Sequence, residues 1–180
     1  LVSISGGAGA LMADYCDELG LAVPPLPKPA QAKLMKLFPF GSALNPIDPT
    51  ALWGQDMSVL SASMETLLKE GGHDTVVLFG STIGINEFNR VRFEEHIIPL
   101  REKYPNPLMV LSLLGAPELI QKWRDKGFLI YEDARRAIEV TAALAKFAPI
   151  VAGSRKFPAR PRGPENLKIK PGRTFNEADA

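Results

Sequence analysis

The 180-residue sequence contains few of the residues that mark metal sites, disulfides or export. It has a single cysteine, Cys16, and two histidines, His73 and His96, which lack the spacing of a metal-ligand pair. One cysteine cannot form an internal disulfide and is typical of a reducing compartment, so we expect a cytoplasmic protein. No apolar run is long enough to span a membrane, and the first residues lack the features of a signal peptide. We therefore predict no metal site and no membrane partner.

Common nucleotide-binding patterns are also missing. The glycine-rich segment 5–9, SGGAG, lacks the G-x-G-x-x-G spacing of a Rossmann fingerprint, and no lysine follows it as a P-loop requires. No acidic pair follows the first strand-like run, which argues against a receiver domain that accepts phosphate on aspartate. The Ser/Thr-rich phosphate loop of a flavin-binding flavodoxin is absent as well.

Strand-like apolar runs alternate with helical segments along the chain. The patterns predict strands at 1–5, 21–23, 75–79, 108–113 and 128–131, with helices at 10–19, 30–38, 55–70, 86–104, 117–126 and 132–147. The strands lack polar alternation, which is typical of a parallel sheet covered on both faces. With right-handed crossovers, this predicts an α/β flavodoxin-like three-layer sandwich whose five-stranded parallel sheet has the order 2-1-3-4-5.

The composition changes near residue 149. We assign 1–148 to one domain, whereas 149–180 is rich in proline, and residues 151–180 carry seven Lys or Arg against three acids. A basic tail can bind nucleic acid, but the proline and glycine content favours a solvated linker. Because the chain also lacks an initiator methionine, we expect a piece of a longer protein.

The first candidate site is the segment that holds Ser5, Gly6, Gly7 and Gly9. It follows a strand and opens a helix, where ligands bind in sheets of this kind. Glycines let the backbone approach a ligand, and a helix N-terminus offers free N–H groups to a phosphate or carboxylate. The same residues fit a tight turn without a ligand equally well.

Two further segments carry polar groups. Asn45 and Asp48, in the run NPIDP, can brace neighbouring backbone through side-chain hydrogen bonds, and a rigid structural loop is the favoured interpretation. Gly80, Ser81 and Thr82 follow the predicted strand 75–79 and can donate hydrogen bonds to a small acid, although such residues are equally common in plain loops. No residue is predicted to be catalytic.

Three segments in order carry a family resemblance. The runs SGGAGALMAD, LGLAVPPLP and NPIDPTA resemble the succinyl-CoA-ligase-like domain of NDP-forming acyl-CoA synthetases. The resemblance covers about residues 1–148, and the ending GRTFNEADA looks like the linker into an ATP-grasp domain.

The resemblance implies a function. Such synthetases make acyl-CoA from a carboxylic acid, CoA and a nucleoside triphosphate through an acyl phosphate and a phosphohistidine. By this resemblance, phosphate would bind at Ser5, Gly6, Gly7 and Gly9, and the acid or acyl phosphate would contact Asn45, Asp48, Gly80, Ser81 and Thr82. The family's Ser-His-Thr-Gly loop is absent from the sequence, so the phosphohistidine is expected outside it and the chain alone is not expected to complete the reaction.

The resemblance also implies partners and leaves alternatives open. CoA and ATP with Mg²⁺ would bind elsewhere in the parent protein and none of them in this chain, whose partners would be CoA-binding and ATP-grasp domains. Relatives self-associate, so a homo-oligomer is possible, and no nucleic acid is expected. Alternatively, the chain is a regulatory synthetase-like module of a protein acetyltransferase, or a binding domain without catalytic chemistry.

Overall fold

The computed structural model describes the backbone of residues 1–151 and the side chains of residues 1–148. Leu1–Lys146 form one compact unit, and a second unit, Phe147–Ala180, begins within the last helix. The elements of the described part, in chain order, are β1 Val2–Ser3, α1 Gly6–Leu19, α2 Lys28–Leu37, α3 Leu52–Gln55, α4 Met57–Glu70, β2 Thr75–Gly84, α5 Glu87–His96, α6 Ile98–Lys103, β3 Leu108–Gly115, α7 Pro117–Asp125, β4 Leu129–Tyr131 and α8 Ala134–Val151.

The strands form one parallel sheet in the order β1-β2-β3-β4. One row of residues crosses all four strands in register: Ser3, Phe79, Ser112 and Tyr131. Because side chains opposite one another in a parallel sheet lie on the same face, this row places two buried serines on one side of the sheet. The predicted α/β fold with a parallel sheet is thus confirmed.

The predicted strand at 21–23 is wrong, and the described sheet has four strands rather than five. Residues 21–27 have no strand assignment, and Pro24, Pro25 and Pro27 have no N–H to donate to a ladder. One backbone hydrogen bond, from the Leu26 N–H to the Leu44 carbonyl at 3.1 Å, and one from the Asn45 side chain to the Pro24 carbonyl at 2.9 Å join this segment to residues 44–45. The segment is apolar enough to cover the core but cannot extend the sheet.

Helices cover both faces of the sheet. Consecutive β2 residues alternate between two apolar clusters, Val77 packing with α1 and α8 and Val76 and Leu78 packing with the helices of the other face. β3 alternates in the same way, with Val110 in the smaller cluster and Met109 and Leu111 in the larger. This double burial explains why these strands read as uninterrupted apolar runs.

Several element boundaries differ from those predicted. Helix α1 begins at Gly6 rather than at residue 10, so most of the glycine-rich segment is helix rather than loop. The predicted helix at 86–104 is two helices, because Pro99 has no N–H for the ladder and α6 restarts after Ile97. The helix predicted at 55–70 is preceded by the short α3 and starts at Met57.

The predicted boundary between domain and linker falls within α8. This helix runs to Val151, whereas the sequence predicted its end at residue 147. The linker proposed for 149–180 lies outside the described residues from 152 onward. The division at residue 148 therefore remains a prediction.

Candidate functional site

The first turn of α1 presents backbone donors without partners. Ser5 is the N-cap in an extended conformation, and the Gly9 N–H is bonded to the Ser5 carbonyl at 2.9 Å. Among the described residues, the amides of Gly6, Gly7 and Ala8 have no hydrogen-bond acceptor, and no side chain caps the helix. Gly6 and Gly7 are exposed to solvent. The helix therefore offers three amides and the positive end of its dipole to an anion.

Two other helices, α4 and α5, satisfy one of these positions with a side chain, whereas α2, α3, α6 and α7 have no side-chain cap either. At α4 the Asp56 carboxylate accepts the Ser58 N–H at 2.9 Å, and at α5 the Asn86 amide oxygen accepts the Asn89 N–H at 3.0 Å. A capping side chain contributes about 1 kcal/mol to helix stability, so its absence at α1 leaves donors that a ligand can use.

The junction between β1 and α1 is fixed by a residue that sequence analysis did not single out. The fully buried Ser3 donates its hydroxyl to the Ser5 carbonyl at 2.6 Å and accepts the Ser5 N–H at 3.1 Å. Its signal in the sequence was a hydroxyl within an otherwise apolar strand-like run.

The NPIDP segment lies along the edge of β1 that β2 does not use. The Ser3 N–H donates to the Ile47 carbonyl and the Ile47 N–H to the Leu1 carbonyl, each at 2.9 Å. Pro46 approaches α1 so closely that a Cβ added to Gly9 would lie 3.4 Å from the Pro46 Cβ and 3.3 Å from the Ser3 Cβ. A side chain at position 9 would therefore crowd Ser3 and Pro46.

Of the two polar side chains in this segment, only Asp48 reaches the helix terminus. A Cβ added to Gly6 would lie 2.9 Å from the Asp48 Oδ2, while Oδ1 accepts the Thr50 N–H at 2.8 Å. The Asn45 amide instead accepts from the Leu1 nitrogen at 2.6 Å and donates to the Pro24 carbonyl at 2.9 Å. Asn45 therefore ties three segments of backbone together.

The third predicted segment lies beside the first, although it is not a loop. Gly80, Ser81 and Thr82 belong to β2, whose pairing with β3 continues to Gly84 with register shifts on either side of Ser81. Ser81 has a φ of 47°, which interrupts the regular ladder. The Ile4 N–H donates to the Phe79 carbonyl at 3.2 Å, so this irregular stretch begins next to Ser5. The Thr82 side chain is exposed.

Other kinds of site were sought in the described residues. They contain no cluster of three or more His, Cys, Asp or Glu side chains that could hold a metal ion. None of the helices in residues 1–151 combines the length and hydropathy needed to cross a membrane. A cleft of about 280 Å³ lies between α7 and the ends of β3 and β4, where the Arg124 guanidinium donates to the Ile130 carbonyl at 2.8 Å. It is separate from the α1 terminus.

Comparison with known proteins finds one relative within the family that the sequence resembles. No protein-family model matches the sequence. The chain is 25% identical over 150 residues to the alpha subunit of acetate–CoA ligase (ADP-forming) I from Pyrococcus furiosus, a match that covers 82% of this chain and 32% of that protein. The resemblance to NDP-forming acyl-CoA synthetases is confirmed.

Solved structures share the fold of this chain. A protein from Pyrococcus horikoshii OT3 aligns with a TM-score of 0.69 and 19% identity, covering 83% of this chain and 35% of that one. The dinucleotide-forming acetyl-coenzyme A synthetase 1 of Ca. Korarchaeum cryptofilum aligns in its apo form with a TM-score of 0.67 and 20% identity, covering 87% and 35%. The same synthetase in complex with phosphate and ADP gives 0.65 at 20% identity, with the same coverage. The chain thus spans about a third of the length of each of these proteins.

Proposed function

We propose that this chain is the flavodoxin-like domain of an acyl-CoA synthetase and that the first turn of α1 binds the phosphate of the reaction. The observation that carries the proposal is the set of uncapped amides at Gly6, Gly7 and Ala8. They lie at the carboxyl end of β1, where ligands bind in sheets of this class, and they are open to solvent.

The comparisons support phosphate chemistry in proteins that contain a domain of this fold. The Pyrococcus relative is an ADP-forming ligase, and the Korarchaeum synthetase was solved with phosphate and ADP. An enzyme that releases ADP from ATP must handle a transferred phosphoryl group, and backbone N–H groups at a helix N-terminus suit that charge in any sequence context.

The proposed reaction joins a small carboxylic acid to CoA with ATP, through an acyl phosphate and a phosphohistidine outside residues 1–180. CoA and ATP with Mg²⁺ are assigned to CoA-binding and ATP-grasp domains, to which residues 149–180 would lead from the domain formed by 1–148. We place the protein in the cytoplasm on the grounds of its single cysteine.

Individual residues take different parts in this proposal. Ser5, Gly6 and Gly7 would face the phosphate, whereas Gly9 would act by letting α1 pack against Ser3 and Pro46. Gly80, Ser81 and Thr82 would contact the acid or acyl phosphate beside that turn. The Asp48 carboxylate borders the same turn, and Asn45 would support the site by holding the backbone around β1.

The phosphate site is tested by removing one donor at Gly7. A Cβ added to Gly7 meets no atom within 4 Å, so Gly7→Ala keeps the N–H without steric cost. Gly7→Pro deletes the N–H at the second helical position, which proline already occupies in α2 and α6. We expect Gly7→Pro to weaken phosphate binding by about 10- to 100-fold, the loss of one charge-assisted hydrogen bond, and Gly7→Ala to change it little. Equal phosphate affinity in both variants would contradict the site.

The reaction is tested in the complete protein that carries this chain. We expect acyl-CoA to form from a small acid such as acetate, CoA and ATP, and Gly7→Pro to slow this more than Gly7→Ala. Phosphate binding by the chain without acyl-CoA formation from any acid tested would reject the synthetase and leave a binding domain.

A further inference from the structure

The first turn of α1 already faces one negative charge from the protein itself. The Asp48 Oδ2 lies where it would be 2.9 Å from a Cβ on Gly6. Because Cα–Cβ bonds in a helix tilt toward its N-terminus, this contact places the carboxylate on the side of the turn toward which the free amides point.

The backbone holds Asp48 firmly in this place. Asp48 and Ser42 exchange two backbone hydrogen bonds, at 2.8 and 2.9 Å, and the Asp48 Oδ1 accepts the Thr50 N–H. In the described part of the chain, Oδ2 has no hydrogen bond and the carboxylate has no ion pair with a Lys, Arg or His. Helix α1 has no acidic residue in its own first turn, so Asp48 supplies the negative charge that usually stabilises this end of a helix.

We propose that Asp48 is an internal competitor for the anion at α1 and lowers the affinity of the turn for it. An anion bound to the amides of Gly6 and Gly7 would meet a like charge at close range unless the carboxylate turns away. Turning away breaks the Thr50 bond, so anion binding is coupled to the conformation of residues 48–50. This inference rests on the proposed phosphate site and adds a residue that determines its affinity.

The experiment compares Asp48→Asn with Asp56→Asn. Both residues accept the N–H two positions onward, Asp48 from Thr50 at 2.8 Å and Asp56 from Ser58 at 2.9 Å. In each case asparagine keeps the side-chain oxygen that accepts the hydrogen bond and removes the negative charge. Asp56 is the N-cap of α4, so Asp56→Asn is the control for a loss of charge away from α1. The readouts are the dissociation constant for inorganic phosphate and the urea midpoint without phosphate at low and high NaCl.

We expect Asp48→Asn to bind phosphate at least about fivefold more tightly, because a like charge some 4 Å away is removed, and Asp56→Asn to bind as the wild type does. Without phosphate, Asp48→Asn is expected to have a lower urea midpoint than the wild type. High NaCl is expected to reduce this difference in midpoint, because salt screens the attraction between the carboxylate and the helix terminus. Asp48→Ser, which is also neutral and can accept the Thr50 N–H, is expected to behave like Asp48→Asn and provides a second test if that variant folds poorly.

The outcomes separate this inference from the proposed function. If the wild type binds phosphate and the neutral variants bind it no more tightly, Asp48 does not compete and only this inference fails. If neither the wild type nor the neutral variants bind phosphate, the phosphate site fails as well.

Discussion

The hydroxyl of Ser3 holds the backbone of Ser5 through both its carbonyl and its amide, at 2.6 and 3.1 Å. Ser3 ends β1 and Ser5 is the N-cap of α1, so one buried side chain sets the angle at which the helix leaves the sheet. This junction therefore sets the direction in which the free N–H groups of the first turn of α1 point.

Replacing Ser3 by alanine is expected to lower the free energy of unfolding by about 1–3 kcal/mol, because the Ser5 N–H loses its acceptor in a part-buried position. Urea unfolding measures this loss. Phosphate affinity is expected to fall with it, since the first turn is no longer held in place.

Ser112 provides the matched control. It lies in the same row of the sheet, is also fully buried, and its hydroxyl has no partner in the described structure. Ser112→Ala is therefore expected to leave the free energy of unfolding unchanged or raise it, because an unpaired buried hydroxyl is removed. A loss as large as that of Ser3→Ala would show that the Ser3 hydrogen bonds are not the cause.

Two glycines of α1 are expected to respond in opposite directions to alanine. Gly9→Ala brings a Cβ to 3.3 Å from the Ser3 Cβ, and we expect a loss of about 1–3 kcal/mol as the helix is forced away. Gly7→Ala has open space and is expected to stabilise by up to about 1 kcal/mol. Thermal midpoints measure both, and equal midpoints would mean that α1 does not pack on β1 as described.

Replacing Asn45 by aspartate is expected to destabilise the fold by about 1–3 kcal/mol, because the donor to the Pro24 carbonyl becomes an acceptor facing an acceptor. Phosphate affinity, measured on the folded variant, is expected to change little. A variant of normal stability that had lost phosphate binding would instead place Asn45 in direct contact with the ligand.

The free energy of unfolding is expected to decrease as the pH is lowered, because His73 takes up a proton more readily in the unfolded chain. Burial lowers the pKa of His73, against the opposing charge of Asp74, and its Nε2 has no partner in the described structure. The unfolded chain takes up the proton at the ordinary pKa near 6.5, so the folded state loses stability as pH drops below about 6.5. Urea midpoints between pH 7.5 and 5.5 are expected to fall less in His73→Gln than in the wild type. Parallel curves would exclude His73 as the source.

Local patterns predicted the layers of the fold well. Strands such as residues 108–113 are apolar throughout, and α1 and α8 bury one face of the sheet while the remaining helices bury the other. The break in the 86–104 helix was also visible at Pro99 but was outweighed by the apolar spacing on either side. Pro24, Pro25 and Pro27, which follow the predicted strand at 21–23, were likewise visible in the sequence, and the structure has no strand there.

Tertiary relationships could not be predicted from the sequence. The local sequence of Gly80, Ser81 and Thr82 is typical of a loop. Their pairing with the last residues of β3 depends on contacts between distant parts of the chain, which the local sequence does not show. Nothing in the spacing of Gly6 and Asp48 shows that a carboxylate lies against the helix terminus. The sequence pattern pointed to the glycine-rich segment but not to Ser3, whose hydroxyl holds the backbone of Ser5.

The most direct test follows the backbone amides of the chain by NMR during a titration with inorganic phosphate. We expect the resonances of Gly6, Gly7 and Ala8 to shift together and saturably, with smaller changes at Thr50 and none at the capped amides Ser58 and Asn89. Saturable shifts confined to other residues, or no shift at the three α1 amides at any phosphate concentration, would contradict a phosphate site at this turn.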